Sequence, residues 1–259
     1  MEQMKDEAEA VSIFGVAIKS RTPSQFSAEC EQSFTQGNFS SIATVNPEIL
    51  LQAKKEPRFL YTLQSCTFRV VDGFGISLIT LFKKGKFFPR ITGNDAVVVL
   101  TDIAHKHNLC IGIVGGSQRR AGEAVEFLQR AYPGVTWIDL MSGHDCEVTR
   151  DGEFVDGADF FYQGMEQHKP EILLAAFGAQ KQESFLLHIP ERYPFVRFGI
   201  GIGGLVDVWS GHISRPPRFF SSFGLEWLWR LVQEPKRFTR IWNAVIVFPI
   251  QSLFFDTRS

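Results

Sequence analysis

Apolar and polar positions change period repeatedly along this chain. SIFGVAI (12–18) reads as a strand. TPSQFSAECEQSF (22–34) reads as a helix, with Thr22 placed to cap it and Pro23 in its first turn. FSSIATV (39–45) returns to a strand, and PEILLQAKKEPRFLYTL (47–63) to a helix interrupted at Pro57. TFRVV (67–71) is a strand and GISLITLFKKG a short helix. TGNDAVVVLTDIAHKHN (92–108) is a longer helix that opens on capping residues. LCIGIVGG (109–116) is a continuous apolar strand ending in two glycines. SQRRAGEAVEFLQRAYPG (117–134) is amphipathic, because Ala121, Ala124, Val125, Leu128 and Ala131 recur at helical spacing. VTWIDL, ADFFYQGMEQHKP, EILLAAFG, QKQESFLLHIPERY and VRFGIGIGG continue the alternation. Apolar strands joined by helices predict a parallel sheet buried on both faces, a three-layer Rossmann-like α/β fold. Past about Leu205 the alternation stops, and the tail is rich in Pro, Arg, Phe and Trp. The expected organisation is an α/β domain over 1–204 and an appendage with amphipathic helix over 205–259.

Composition narrows the classes. The chain has 259 residues, 44% hydrophobic and 21% charged, enough for one large or two small folded domains. Its formal net charge of −1 gives no overall attraction to nucleic acid or any other polyanion. Charge is uneven, however. Arg215, Arg218, Arg230, Lys236, Arg237 and Arg240 lie between His212 and Arg240, against only Glu226 and Glu234. The four cysteines form no C-x-x-C pair, which argues against zinc and against a disulfide scaffold. The first residues, MEQMKDEAEA, are acidic and polar and do not read as a signal peptide, so a cytosolic, reducing location is expected. The most apolar tail segment, residues 241–255, is short for a membrane span and contains Pro249. The 25 phenylalanines concentrate toward the C-terminus and suggest an interfacial surface.

Ligands of parallel α/β sheets bind beyond the carboxyl ends of the strands. Several polar or glycine clusters fall there. Asp72 ends the run FRVV and is followed by Gly73 and Gly75. A carboxylate in that place can take a proton from a substrate hydroxyl as general base; the plainer reading is a helix cap. Gly115 and Gly116 lead into a helix start whose free N–H groups suit a diphosphate, or simply make a tight turn. Thr44 and Asn46 can hydrogen-bond a sugar or cap the helix that Pro47 begins. Arg90 can clamp a phosphate or sit at the surface paired with Asp95. Gln180 and Gln182 present amides suited to sugar hydroxyls, or again serve as caps. Gly203 and Gly204 with Asp207 make the last cluster. The six histidines show no ligand spacing, and no D-x-D pair is present to hold a divalent ion.

Taken in order, TVNPEIL, VVDGFGI, PRITGNDAV, IGIVGG, GAQKQE, GIGGLVDVWSGHISRPPRF and GLEWLWRLVQEPKRFTR resemble the WecG/TagA/CpsF family of bacterial glycosyltransferases, from about residue 12 to 245. The resemblance implies transfer of a sugar from a UDP-sugar to a saccharide on a polyprenyl diphosphate, with inversion and with neither metal nor other cofactor. The implied donors are N-acetylmannosamine, its uronic acid, and glucose. Asp72 matches the proposed catalytic base, and Thr44, Asn46, Arg90 and Gln182 match active-site positions. Asp207 matches a position near the nucleotide. The C-terminal arginines match an appendage that completes the site and touches the inner leaflet of the cytoplasmic membrane. Related proteins also self-associate. The chain departs from the pattern at Gln180, where the family commonly has proline, at Arg215-Pro216-Pro217, and at SGHDC near residue 143, a region placed near the donor sugar. Two other readings remain on the residues alone. One is a nucleotide-dependent oxidoreductase using the glycine turn and Asp139. The other is a non-catalytic nucleotide-sugar- or lipid-binding protein.

Overall fold

The structure is a computed structural model that describes residues 10–116, 120–214, 229, 231 and 238–256. The expected three-layer architecture is present. Strands β3 (Ser40–Val45), β4 (Phe68–Val71), β5 (Cys110–Gly115), β6 (Thr136–Asp139), β9 (Ile172–Ala176) and β10 (Phe198–Gly201) form one sheet in the order β4-β3-β10-β9-β5-β6. Every pairing in it is parallel. The strands are largely apolar because successive side chains enter opposite layers. Ile42, Ile172, Leu174, Phe198 and Ile200 join one core cluster, while Ala43, Leu173 and Ala175 join the clusters on the other face.

Helices α1 (Pro23–Gln36), α5 (Gly93–His107) and α6 (Arg120–Ala131) cover the first face. Thr22 and Thr92 close full capping boxes with Gln25 and Asp95. The second face is covered by α2 (Pro47–Lys55), α3 (Pro57–Ser65), α4 (Phe74–Lys84), α7 (Ala158–His168) and α8 (Lys181–Arg192). Pro57 breaks α2 from α3 as its missing N–H requires. A short antiparallel pair, β7 (Glu147–Val148) and β8 (Phe154–Asp156), precedes α7.

The first strand expected from sequence is corrected. Residues 12–18 are not one strand but the centre of a hairpin, β1 (Ala10–Ile13) and β2 (Val16–Lys19). Phe14 and Gly15 both take positive φ (52° and 84°), the two-residue turn whose twist suits a hairpin. The run looked continuous because Phe14 is itself apolar and buried.

Past α9 (Leu205–Trp209) the described chain resumes as α10 (Phe238–Trp242), one π-helical turn (Asn243–Val247) and α11 (Phe248–Phe254). This segment packs on the domain. Phe248 is fully buried in the same cluster as the hairpin and meets the Phe14 ring edge-on at 6.1 Å. Asp256 accepts from the Phe14 N–H at 3.2 Å and pairs with Lys83 at 2.6 Å. Among the described residues no helix is long and apolar enough to cross a membrane.

Candidate active site

Because the six strands run parallel, their carboxyl ends share one edge of the sheet. Beyond it lies a cleft of about 920 Å³, within the usual range for a small-ligand site. Thr44 and Asn46 enter it from the end of β3, Asp72 from β4, Gly116 from β5, Gln182 from α8, and Gly203, Gly204 and Asp207 from the end of β10. Stretches far apart in the chain thus meet in one place.

Asp72 stands between β4 and α4, half-exposed, with its N–H bonded to the Val45 carbonyl at 2.9 Å. The cap position of α4 falls on Gly73, so Asp72 is not the N-cap. The following glycine has a steric reason. A Cβ on Gly73 would lie 2.7 Å from Cδ of Pro47 and 3.7 Å from Cα of Asn46. Its absence lets the loop carrying Asp72 close onto the loop carrying Asn46. Asn46 does cap α2, its Oδ1 accepting from the Ile49 N–H at 3.1 Å, and it lines the cleft as well.

Arg90, Gly115 and Gln180 lie behind the lining residues. Arg90 approaches the Asp72 carbonyl at 3.5 Å and does not line the cleft. The Gln180 side chain is buried and accepts from Gln52 Nε2 at 2.6 Å, away from the residues that line the cleft. Its backbone takes φ 72° and ψ −58°, which proline's ring forbids. The turn before Lys181 therefore differs from one built on proline, and the Gln180 N–H is used, donating to Glu183 at 2.7 Å.

Gln182 works through its neighbours. Its Oε1 accepts from the Gly203 N–H at 3.1 Å, and its Nε2 donates to Glu183 at 2.8 Å. Burial pushes the Glu183 carboxyl above the ordinary carboxylate range, while bonds from Gln182 and from the backbones of Glu183 and Gln180 pull it the other way. The amide so holds the glycine turn after β10 in position.

Ion pairs ring the cleft. Arg120, at the start of α6, meets Asp207 at 2.5 Å. Arg240 meets Glu48 at 2.5 Å, and Lys181 meets Glu147 at 3.4 Å. All six residues line the cleft. Arg120 was not singled out by sequence reasoning. Its only signal was its place at a helix start after two glycines. Of the six basic tail residues only Arg240 is described; Arg215, Arg218, Arg230, Lys236 and Arg237 lie outside the described residues.

The loop after β6 supplies Cys146, and strand β7 supplies Glu147 and Val148, to the cleft. Asp139 shapes that loop, its two oxygens accepting from the Met141 and Gly143 N–H groups at 2.9 and 2.8 Å. It is thus committed to a turn and does not line the cleft, unlike the ribose-binding acid of a dinucleotide site.

Comparison with known proteins agrees with this arrangement. Residues 11–256 match the model of the glycosyl transferase WecG/TagA/CpsF family. The chain is 30% identical over 206 residues to an N-acetylglucosaminyldiphosphoundecaprenol N-acetyl-beta-D-mannosaminyltransferase of Bacillus spizizenii, covering 80% of this chain and 76% of that one. It is 28% identical over 200 residues to a protein of the same name from Bacillus subtilis, covering 77% and 74%. A family match across nearly all of the chain, with the expected parallel fold and one cleft gathering the family's motifs, shows that the protein belongs to the WecG/TagA/CpsF family of glycosyltransferases.

Proposed function

We propose that the protein transfers N-acetylmannosamine from its UDP derivative to an N-acetylglucosaminyl-diphosphoundecaprenol acceptor, with inversion, in building a cell-surface polysaccharide. The relatives' names support this acceptor and this sugar over the uronic acid or glucose. Asp72 is the general base. Its carboxylate takes the proton of the acceptor hydroxyl as that oxygen bonds to the anomeric carbon. The bond from that carbon to the diphosphate breaks on the opposite face, and UDP leaves with the electron pair. The observation that carries this reading is that Asp72 lines one cleft together with Thr44, Asn46, Gln182 and Asp207.

The charge gathering on the departing diphosphate needs compensation. Arg120, which lines the cleft at the start of α6, is placed for it once Asp207 turns to the nucleotide. The proposed route uses no metal, the compensating charge coming from Arg120 and Arg240 of the cleft. The basic tail, with Arg240 at the cleft, brings the protein to the cytoplasmic face of the membrane where such an acceptor resides.

The test is a panel of UDP-sugars offered with a glycosyl-diphospho-lipid acceptor. UDP-N-acetylmannosamine should be the preferred donor. Loss of a general base costs roughly 10²–10⁴ in rate, so Asp72→Asn should fold, bind UDP and turn over that much more slowly. Near-normal turnover by Asp72→Asn would remove the residue from the mechanism.

A further inference from the structure

Helix α4 carries a second apolar face that the fold leaves unused. Its inner face buries Ile76, Ser77, Ile79 and Thr80. On the outer face Phe74, Leu78, Leu81 and Phe82 are 41, 37, 41 and 67% exposed, and Phe87 just beyond the helix is 44% exposed. The spacing of these four helical positions (i, i+4, i+7, i+8) makes them a single stripe. A helix on a protein surface ordinarily turns polar side chains to water, and an exposed apolar stripe marks an interaction site.

The charge within this stretch of the chain is of one sign. Residues 74–87 hold Lys83, Lys84 and Lys86 and no acid. Lys83 turns to Asp256, and Lys84 stands exposed at the end of the stripe. Helix α11, packed against α4, adds exposed Ile250, Leu253 and Phe254. Exposed apolar side chains bordered by a lysine complement an anionic lipid surface. Position points the same way. The stripe begins two residues after Asp72, and an undecaprenyl-linked acceptor keeps its hydrocarbon chain in the bilayer.

We propose that the outer face of α4 is a lipid-docking surface. Its aromatic and leucine side chains lie in the interface of an anionic bilayer, with Lys84 at the headgroups. This rests on the transferase reading for its choice of occupant, and it assigns a membrane contact separate from the basic tail.

The experiment uses the full chain with phosphatidylglycerol-containing and pure phosphatidylcholine vesicles. The double variant Leu78→Glu/Phe82→Glu should partition about tenfold more weakly onto the anionic vesicles. It should keep its thermal midpoint and its turnover on a short-chain, water-soluble acceptor analogue, and lose turnover on the bilayer-embedded acceptor. A second variant, Phe82→Trp, should bind vesicles and gain emission that brominated lipid quenches, relative to the parent. Vesicle partition of the double variant equal to the parent's would overturn the proposal. So would added emission in Phe82→Trp that brominated lipid leaves unquenched. A double variant that breaks up a self-associated species and leaves lipid binding unchanged would overturn it too, since the stripe would then be a contact between copies. Should the double variant fail to fold, the quenching measurement decides. If the parent turns over neither acceptor while the double variant still loses lipid binding, the transferase reading falls and the lipid surface stands.

Discussion

Two residues beside the cleft show how local strain and burial are tolerated here. Gln180 holds φ 72° and ψ −58°, near the classical γ-turn, a conformation that costs about 1–3 kcal/mol. Gln52, donating to its side chain, and Glu183, accepting from its N–H, hold it there. Glu183 is itself buried, and its carboxyl is shifted upward by the loss of water. A raised acid binds its proton more firmly in the folded chain than in the unfolded one. Its contribution is therefore fully present below the unfolded-state value and is lost as pH rises through the folded one. The thermal midpoint of the parent should fall over that interval above the ordinary carboxylate range. Glu183→Gln should flatten the fall, and comparing the two melting curves against pH isolates the effect. A parent slope no steeper than the variant's would mean that Glu183 is ionised in the fold.

At the scale of elements, the contact of α8 with β10 positions the glycine turn of the site. The alternation FGIGIGG puts Phe198 and Ile200 on one face of the sheet and Gly199 and Gly201 on the other, beneath α8. A Cβ on Gly201 would stand 2.3 Å from Gln182 Nε2. Gly201→Ala must push that side chain away and break its bond to the Gly203 N–H. Overpacking of this kind costs about 1–3 kcal/mol. Misplacing a positioning group by an ångström can cost about 10²-fold in turnover. The variant should therefore melt cooperatively and lose kcat/KM by up to that factor. Unchanged kinetics would show that the Gln182–Gly203 bond does not support the site.

For the whole molecule, the described tail closes the structure rather than hanging from it. Phe248 fills the core beneath the hairpin, so Phe248→Ala should destabilise the protein by about 3–5 kcal/mol in urea unfolding. Phe254, 76% exposed on the same helix, should change stability by less than about 0.5 kcal/mol when replaced by alanine. Equal effects would mean that α11 does not pack as described. The same helix thus presents one face to the core and another to the surroundings, beside the exposed stripe of α4.

The sequence by itself determined the parallel three-layer class, because strand and helix periods are local and each strand must be apolar on both faces. It also determined where Asp72, Asn46 and Gln182 fall along the chain, since strand ends are marked by glycine and polar residues. It misread the hairpin at Phe14, where a positive φ leaves no trace in an apolar run. It could not separate Gln182, which lines the cleft, from Gln180, which turns to Gln52. It did not find Arg120 or its pairing with Asp207 across 87 positions. Those matters were decided by tertiary structure alone. The direction of a side chain at a strand end depends on which loops the parallel sheet brings together, and that proximity is a property of the assembled sheet, not of any window of residues.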